Sequence, residues 1–376
     1  MSSTVLYIAP TVVDILKYTA DGICKKIHQQ LSVFSEYCDV YLIGYSDNDV
    51  IVYHNQTKYR EIKNSSNKHR RLFLYDCVNN LSNELVFNTI YIRYAKSDYL
   101  FVKLLKRLHK VSSKIIIEIP TYPYKNEMKD NMHDRLMLFS DTVFSRFLKK
   151  YVKYIATFSH DDYIFGIPCL NISNGVIVDD YHIRKPIENN NQIHLVSVST
   201  MRKAHGYDRV LTGLGEYYKS NSDHSINILF ELVGDGPCLE QYKEIVKSYG
   251  IENNVIFSGF LSGNELQNSY DKADIAVGVL GLHRFGLSNA SPIKTREYLA
   301  VGLPIISAGS LNLLNDESFI LYVPENDEPI NIDSVISFYN EIYKNANHQI
   351  IANEIHEFAK KTCDLKVSMK TVIDNL

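Results

Sequence analysis

Tryptophan is absent from this 376-residue chain, and no two of its six cysteines stand at Cys-x-x-Cys spacing. Cys24, Cys38, Cys77, Cys169, Cys238 and Cys363 are scattered, which argues against a zinc module and fits reduced thiols in a cytoplasmic protein. No apolar run approaches about 18 residues, so no spanning helix is expected. The start "MSSTVLYIAP" has neither the basic region nor the apolar length of a signal peptide. Any membrane contact is therefore expected to be peripheral, at the inner face. The first strand pattern, "TVLYIAP", is not followed by Gly-x-Gly-x-x-Gly, which argues against a nicotinamide enzyme. None of the histidines stands at metal-ligand spacing, and no metal or cofactor is expected. A large charge is missing too: the formal value is −3, which disfavours a general nucleic-acid binder. The missing tryptophan, beside 27 tyrosines, suggests no mechanism.

The small net charge hides a split. Residues 1–180 hold 23 Lys+Arg against 19 Asp+Glu, and the remainder 17 against 24. Part of the basic excess lies in "KYREIKNSSNKHRR", "VKLLKRLHK" and "RFLKKYVK", the last two with apolar residues at helical spacing. Such segments either lie against an anionic membrane surface or are solvated helix faces with apolar undersides.

The length exceeds what one hydrophobic core usually serves, so two domains are expected. Apolar, β-branched runs alternate with helical periodicity throughout. "TVLYIAP", "DVYLIGY", "TIYIRY", "KIIIEIP" and "YIATFS" come first, then "IHLVSVST", "INILFELVG", "NVIFSG", "DIAVGVL" and "LPIISAG". These have the composition of parallel strands buried on both faces. "GICKKIHQQLSVFSEY", "YDRVLTGLGEYYKS" and "LEQYKEIVKSYG" are suited to crossover helices. The expected fold is α/β: two doubly wound Rossmann-like domains, residues 1–183 and 192–360, with a helical segment 361–376 that can cross back to the first domain. The joint falls in "DDYHIRKPIENNNQ", at Pro186 and the Asn-rich run. Ligands of such sheets bind at the carboxyl ends of strands, so those loops are where a site is expected.

Several loops there have suitable chemistry. In "SPIKTREYLAVGLPII", Ser291 is a good N-cap, Pro292 suits the first helical position, and Gly302 suits a left-handed end. The free N–H groups at this helix start attract anions. Lys294 adds a cation where the helix dipole disfavours one, and Glu297 lies three residues on, able to reach a sugar diol attached to that anion. An ordinary surface ion pair between the two is the alternative. In "VSVSTMRKAHGYDRV", Arg202, Lys203 and His205 precede Gly206 at a strand-to-helix turn, either as a phosphate clamp or as a solvated loop. Gly234 and Gly236 of "VGDGPCLE", and Gly22 after Asp21, permit close approach to backbone.

Taken in order, "LVSVSTMRKAHGYDR", "ELVGDGP", "NVIFSGFLSGNEL", "YDKADIAVGVL" and "SPIKTREYLAVGLPIISA" resemble the retaining GT-B glycosyltransferases of family 4, the group 1 glycosyl transferases. The resemblance covers nearly the whole chain. It implies metal-independent transfer of a hexosyl or N-acetylhexosaminyl group from a nucleotide-sugar, UDP favoured over GDP. The acceptor would be a glycan or lipid-linked glycan of surface polysaccharide such as capsule. It implies that Glu297 binds ribose, that the basic turn ending in His205-Gly206 holds diphosphate, and that the Gly234–Gly236 turn and Phe260 line the base pocket. Departures are evident. The family's other Glu, eight residues before the ribose-binding one, corresponds to Asn289, or to His283 if the loop has gained residues; Thr200 and His205 stand where the usual phosphate-binding Arg and Lys would be. In the first domain "EIPTYPYKNE" replaces a usual His, leaving Glu118 and Thr121, with Asn289, as catalytic candidates, and Tyr122 and Tyr124 as acceptor contacts.

Two rivals remain. A metal-dependent, single-domain glycosyltransferase would use Asp47-Asn48-Asp49, though that motif sits in a polar turn after the second strand. A non-catalytic GT-B-like assembly partner is compatible with Asn289 and the altered clamp.

Overall fold

The computed structural model describes residues 3–18, 21–124, 131–187, 192–220, 226–287, 292–309, 311 and 318–376. The chain forms two compact units, Met1–Ser173 with Ser368–Leu376, and Asn174–Val367.

The first unit is built on strands β1 (Thr4–Val12), β2 (Asp39–Ser46), β3 (Asp49–His54), β4 (Thr57–Ile62), β5 (Thr89–Arg93), β6 (Lys114–Ile119), β7 (Tyr154–Thr157), β8 (Tyr163–Ile164) and β9 (Ile167–Asn171). They form one sheet in the order β4-β3-β2-β1-β5-β6-β7-β9-β8. In that sheet order the neighbours β2-β1-β5-β6-β7-β9 pair in parallel. Helices α1 (Gly22–Ser35), α2 (Arg70–Glu84), α3 (Tyr99–Leu108) and α4 (Met132–Phe144) accompany it. As expected, α1 starts at Gly22, where the Asp21 carboxylate accepts from the Cys24 amide at 2.7 Å.

The antiparallel hairpin β3–β4, which lies outside the expected strands, turns at Asn55 in the left-handed region. Its outer strand is part of the first basic segment. Charge on an edge strand blocks pairing with another chain, and here the cations are matched: Lys58 to Glu61, Arg60 to Glu84, Lys63 to Asp49 and Lys68 to Asp76. The Asp47–Asp49 motif runs from the turn after β2 into the first residue of β3, with its acids already engaged. Asp47 bonds Lys17 and Tyr18, while Asp49 accepts from Lys63 at 2.9 Å. That is the polar-turn reading of the motif.

The second unit has a wholly parallel sheet of β10 (Gln192–Val198), β11 (Asn227–Val233), β12 (Val255–Gly259), β13 (Ile275–Val277), β14 (Ile305–Ala308) and β15 (Ile320–Val323). Its order, β12-β11-β10-β13-β14-β15, reverses direction between β10 and β13. The accompanying helices are α5 (Tyr207–Ser220), α6 (Leu239–Tyr249), α7 (Gly263–Lys272), α8 (Ile293–Ala300), α9 (Ile332–Ile342) and α10 (His348–Thr362). The chain enters this unit after Ser173, upstream of the joint expected at Pro186, because Arg184 is wholly buried within it. Its guanidinium donates to the Gly302 and Ala273 carbonyls and to the Tyr343 hydroxyl. Such a side chain cannot sit in a linker. The chain end returns to the first unit, where the Ser368 carbonyl accepts from the Ser173 amide and Asn171 accepts from Thr371. All six cysteines are free. Among the described residues no helix is long and apolar enough to cross a membrane.

One expected site residue of the first unit belongs to its interior. Glu118 on β6 is 0% exposed, and its carboxylate accepts from Gln30 at 2.9 Å, Tyr91 at 2.7 Å and Arg93 at 2.5 Å. Burial first, and the Glu118 charge second, push the Tyr7 and Tyr91 hydroxyls well above the ordinary phenol range, so both remain protonated donors. The carboxylate is thus a structural anion within the sheet. Removing one partner of a buried pair leaves an uncompensated charge, which costs about 3–5 kcal/mol. Glu118→Ala is expected to destabilise the first unit by that amount in urea unfolding followed by far-UV circular dichroism. The apolar pair Glu118→Leu with Arg93→Met is expected to recover most of the loss. Unchanged stability of the single variant would show that the cluster is solvated.

Candidate functional site

The carboxyl ends of β10, β11 and β12 converge on a cavity of about 590 Å³ in the second unit, lined among others by Ser199, Thr200, Gly234, Gly236 and Phe260. Tight turns bring the backbone to its wall. Gly234 has φ 119°, and a Cβ there would meet the Ser199 carbonyl oxygen at 2.1 Å. No other residue fits this contact without moving β10. Phe260 is 83% exposed, an aromatic face left in water at the cavity.

Beyond Thr200, Arg202 and Lys203 are exposed in the turn that Gly206 ends at φ 65°. A Cβ on Gly206 would lie 2.8 Å from the Gly281 nitrogen, so glycine permits the turn to rest on the loop after β13. The third expected cation is different. His205 stacks on Tyr207, ring centroids 5.5 Å apart, and its Nδ1 accepts from the Arg202 amide at 3.2 Å. Burial, then Lys294 and Arg202, lowers its pKa to about 3. The imidazole is neutral near pH 7, so the turn presents two charges and not three.

Tyr207 joins this turn to α8. Its hydroxyl accepts from the Lys294 ammonium at 2.7 Å and lies 3.0 Å from Ser199 Oγ at the cavity wall. Burial holds the Lys294 pKa below the ordinary lysine value. A protonated ammonium has three donors, and among the described residues Tyr207 occupies one.

Helix α8 is shorter than its sequence suggested, and Pro292 occupies the cap position with Ile293 the first helical residue. The Pro292 carbonyl accepts from Thr295 Oγ1 and from the buried Arg296 guanidinium, which also reaches the Leu311 carbonyl. Gly302 is left-handed, as expected. Tyr298 fastens the helix to the end of β10, its hydroxyl accepting from the Val198 amide at 2.7 Å. The half-buried Glu297 carboxylate accepts from the Tyr181 hydroxyl at 3.0 Å. The helix is therefore packed into the unit, with Lys294 and Glu297 half-buried on it.

The structure brings Thr200, Gly234, Gly236 and Phe260 together at one cavity, and links Lys294 to its wall through Tyr207. Ser291 and Asn289 lie outside the described residues. His283 is engaged, its Nε2 3.1 Å from Asp327, while Arg284 binds Asp208 and Asp327. In the first unit, space lies open around Gly22, and Thr121 is exposed after β6. Tyr122 and Tyr124 line a second cavity, of about 370 Å³, with Asp141 and Phe165. Sequence reasoning missed Ser199, Tyr207 and Tyr181. Nothing in their spacing distinguishes them from core or loop residues.

Residues 179–315 match the family described as "Glycosyl transferases group 1", a span containing the whole cavity, Tyr207, Lys294 and Glu297. Alpha-monoglucosyldiacylglycerol synthase of Streptococcus pneumoniae (strain ATCC BAA-255 / R6) is 28% identical over 137 residues, 35% of this chain and 29% of that protein. The match thus spans under a third of that relative's length. A glycosyltransferase from Rickettsia africae ESF-5 is similar in structure with TM-score 0.65 at 12% identity, over 99% of this chain and 97% of the other. HepE of Anabaena, solved in complex with UDP, gives 0.55 at 12% identity over 99% and 98%. At such identities the likeness shows the fold, two parallel-sheet α/β domains of the GT-B kind. Fold and matched segment together support a GT-B glycosyltransferase whose group 1 domain lies in the second unit.

Proposed function

We propose that the protein is a metal-independent, retaining glycosyltransferase. It moves a hexosyl or N-acetylhexosaminyl group from a UDP-sugar to a glycan or lipid-linked glycan of surface polysaccharide or glycolipid, working at an anionic membrane surface. The observation that carries this reading is the hydrogen-bonded path Lys294–Tyr207–Ser199, which sets a half-buried ammonium beside an open cavity within the matched domain. A nucleoside in that cavity has Phe260 as a platform for the base and glycine-lined backbone along its wall. Its diphosphate then reaches Lys294, Arg202 and Lys203, and its ribose reaches Glu297, aimed by Tyr181.

Rupture of the bond between the anomeric carbon and phosphate oxygen builds positive charge on the sugar and negative charge on the diphosphate. Donors fixed where that negative charge grows favour the transition state, each by about 3 kcal/mol. The acceptor oxygen forms the new bond on the same face, and its proton passes to the departing phosphate oxygen. Configuration is retained.

Glu297→Ala is expected to raise the UDP-sugar KM and lower kcat, reducing kcat/KM by roughly 10- to 100-fold, since charge-assisted hydrogen bonds contribute about 1.5–3 kcal/mol each. Wild-type kinetics in a folded variant would remove the ribose assignment. Calorimetric titration with UDP checks binding independently of turnover, and binding without turnover on any acceptor would identify a non-catalytic binder.

Because the cationic groups proposed at the diphosphate are all side chains, activity is expected to survive excess EDTA. Loss that magnesium restores would overturn metal independence.

His205 supplies a pH test. Its folded pKa is depressed below the unfolded value, so its contribution to stability is complete above about pH 6.5 and is lost as pH falls toward about 3. In the free protein its imidazole resonances are expected to stay those of the neutral ring between about pH 5 and 7.5. Bound UDP is expected to raise the pKa, because adjacent phosphate favours imidazolium. Titration near 6.5 without UDP would restore His205 as a third cation.

A further inference from the structure

We infer that the outer face of α4 and the turn after it form a docking surface for an anionic lipid bilayer. The inference rests on the proposed reaction for its purpose, giving the lipid-linked acceptor a location. Met132, Leu136, Phe139 and Val143 follow one another at steps of four, three and four residues, a single stripe on a helix. A stripe of this kind ordinarily faces a core. Here its members are 71%, 62%, 70% and 37% exposed, and Phe147 continues it at 40%.

The orientation is set by the other side of the helix. Asp141 is buried, accepting from the Ser97 amide at 2.6 Å and from the Tyr94 and Tyr124 hydroxyls, and Leu138 packs against the core beside it. Turning the stripe inward would strip that carboxylate of its donors. A contiguous apolar face held outward in this way marks an interaction surface.

Charge selects the partner. Between Asn131 and Lys153 stand Arg135, Arg146, Lys149, Lys150 and Lys153, against Asp134 and the buried Asp141. Among the described residues Arg146, Lys149 and Lys150 form no ion pair, whereas the cations around β4 are matched by carboxylates. Helix α3, the other basic segment, buries Phe101, Leu104, Leu105 and Leu108, leaving a charged outer face without a comparable stripe. Aromatic and aliphatic side chains rimmed by lysine and arginine suit the boundary between acyl chains and anionic headgroups. The same helix also supplies Leu138, Asp141 and Thr142 to the 370 Å³ cavity of Tyr122 and Tyr124. Docking therefore places that cavity at the interface, where the glycan of a lipid-linked acceptor would stand.

The test is co-sedimentation of the full chain with phosphatidylcholine vesicles, pure or mixed equally with phosphatidylglycerol, and UDP titration of the same samples. Wild type is expected to bind the mixed vesicles only. Lys149→Ala with Lys150→Ala is expected to weaken that binding roughly thirty-fold, at about one tenfold step per 1.4 kcal/mol. Leu136→Ser with Phe139→Ser is expected to abolish it, while Lys103→Ala with Lys106→Ala on α3 has much less effect. UDP affinity is expected to remain unchanged throughout. Absence of wild-type binding, or equal losses on α3 and α4, would overturn the inference and leave the enzymatic reading standing. A dimer that Leu136→Ser with Phe139→Ser converts to monomer, with vesicle binding intact, would make the face a contact between copies. Vesicle binding without UDP affinity would uphold the docking surface and refute the reaction.

Discussion

Two parallel strands cannot be joined by a short turn: the chain must cross back, so every strand in such a sheet delivers its carboxyl end to the same edge. The second unit consists wholly of such pairs, and its candidate site follows from that constraint. Segments 198–200, 233–236 and 260–261 are far apart in sequence, yet the pairing of β10, β11 and β12 places all three around one cavity. The reversal of strand order between β10 and β13 then leaves room beside β10 for Tyr207 and α8.

Buried charge is handled in two ways. Glu118, Arg184 and Asp141 are surrounded by partners matched to most of their hydrogen-bonding capacity, as interior ions must be. These hold a sheet, the entry segment of the second unit and a helix orientation. Lys294 is different: it is half-buried, and among the described residues Tyr207 takes one of its three donors, next to open space. Burial lowers its pKa because the charged form lacks solvent, and an arriving diphosphate would supply what solvent does not.

Much of this was legible before the structure. Isoleucine- and valine-rich runs separated by helical periodicity define alternating α/β units, and the span Tyr207–Ser220 of α5 coincides with "YDRVLTGLGEYYKS". The turn at Gly234 and the left-handed end at Gly302 follow from glycine's lack of a Cβ, a local property. The hairpin β3–β4 was less visible, since an exposed, charged edge strand has none of the apolar signal that marks a buried one.

What the sequence determined by itself is what depends on near neighbours: helix and strand periods, glycine turns, and the order of motifs resembling a glycosyltransferase. Tertiary structure decided which charges are usable. Glu118 follows a strand pattern buried on both faces, where alternation gives no sign of which side holds water, and only Gln30, Tyr91 and Arg93 show it to be interior. His205 loses its charge to burial and to Lys294, which is 89 positions away in sequence. The stripe on α4 is indistinguishable in sequence from one made for a core, and its outward direction comes from Asp141, whose donors lie on other elements. Desolvation and long-range pairing are properties of the assembled fold, and no local window of residues contains them.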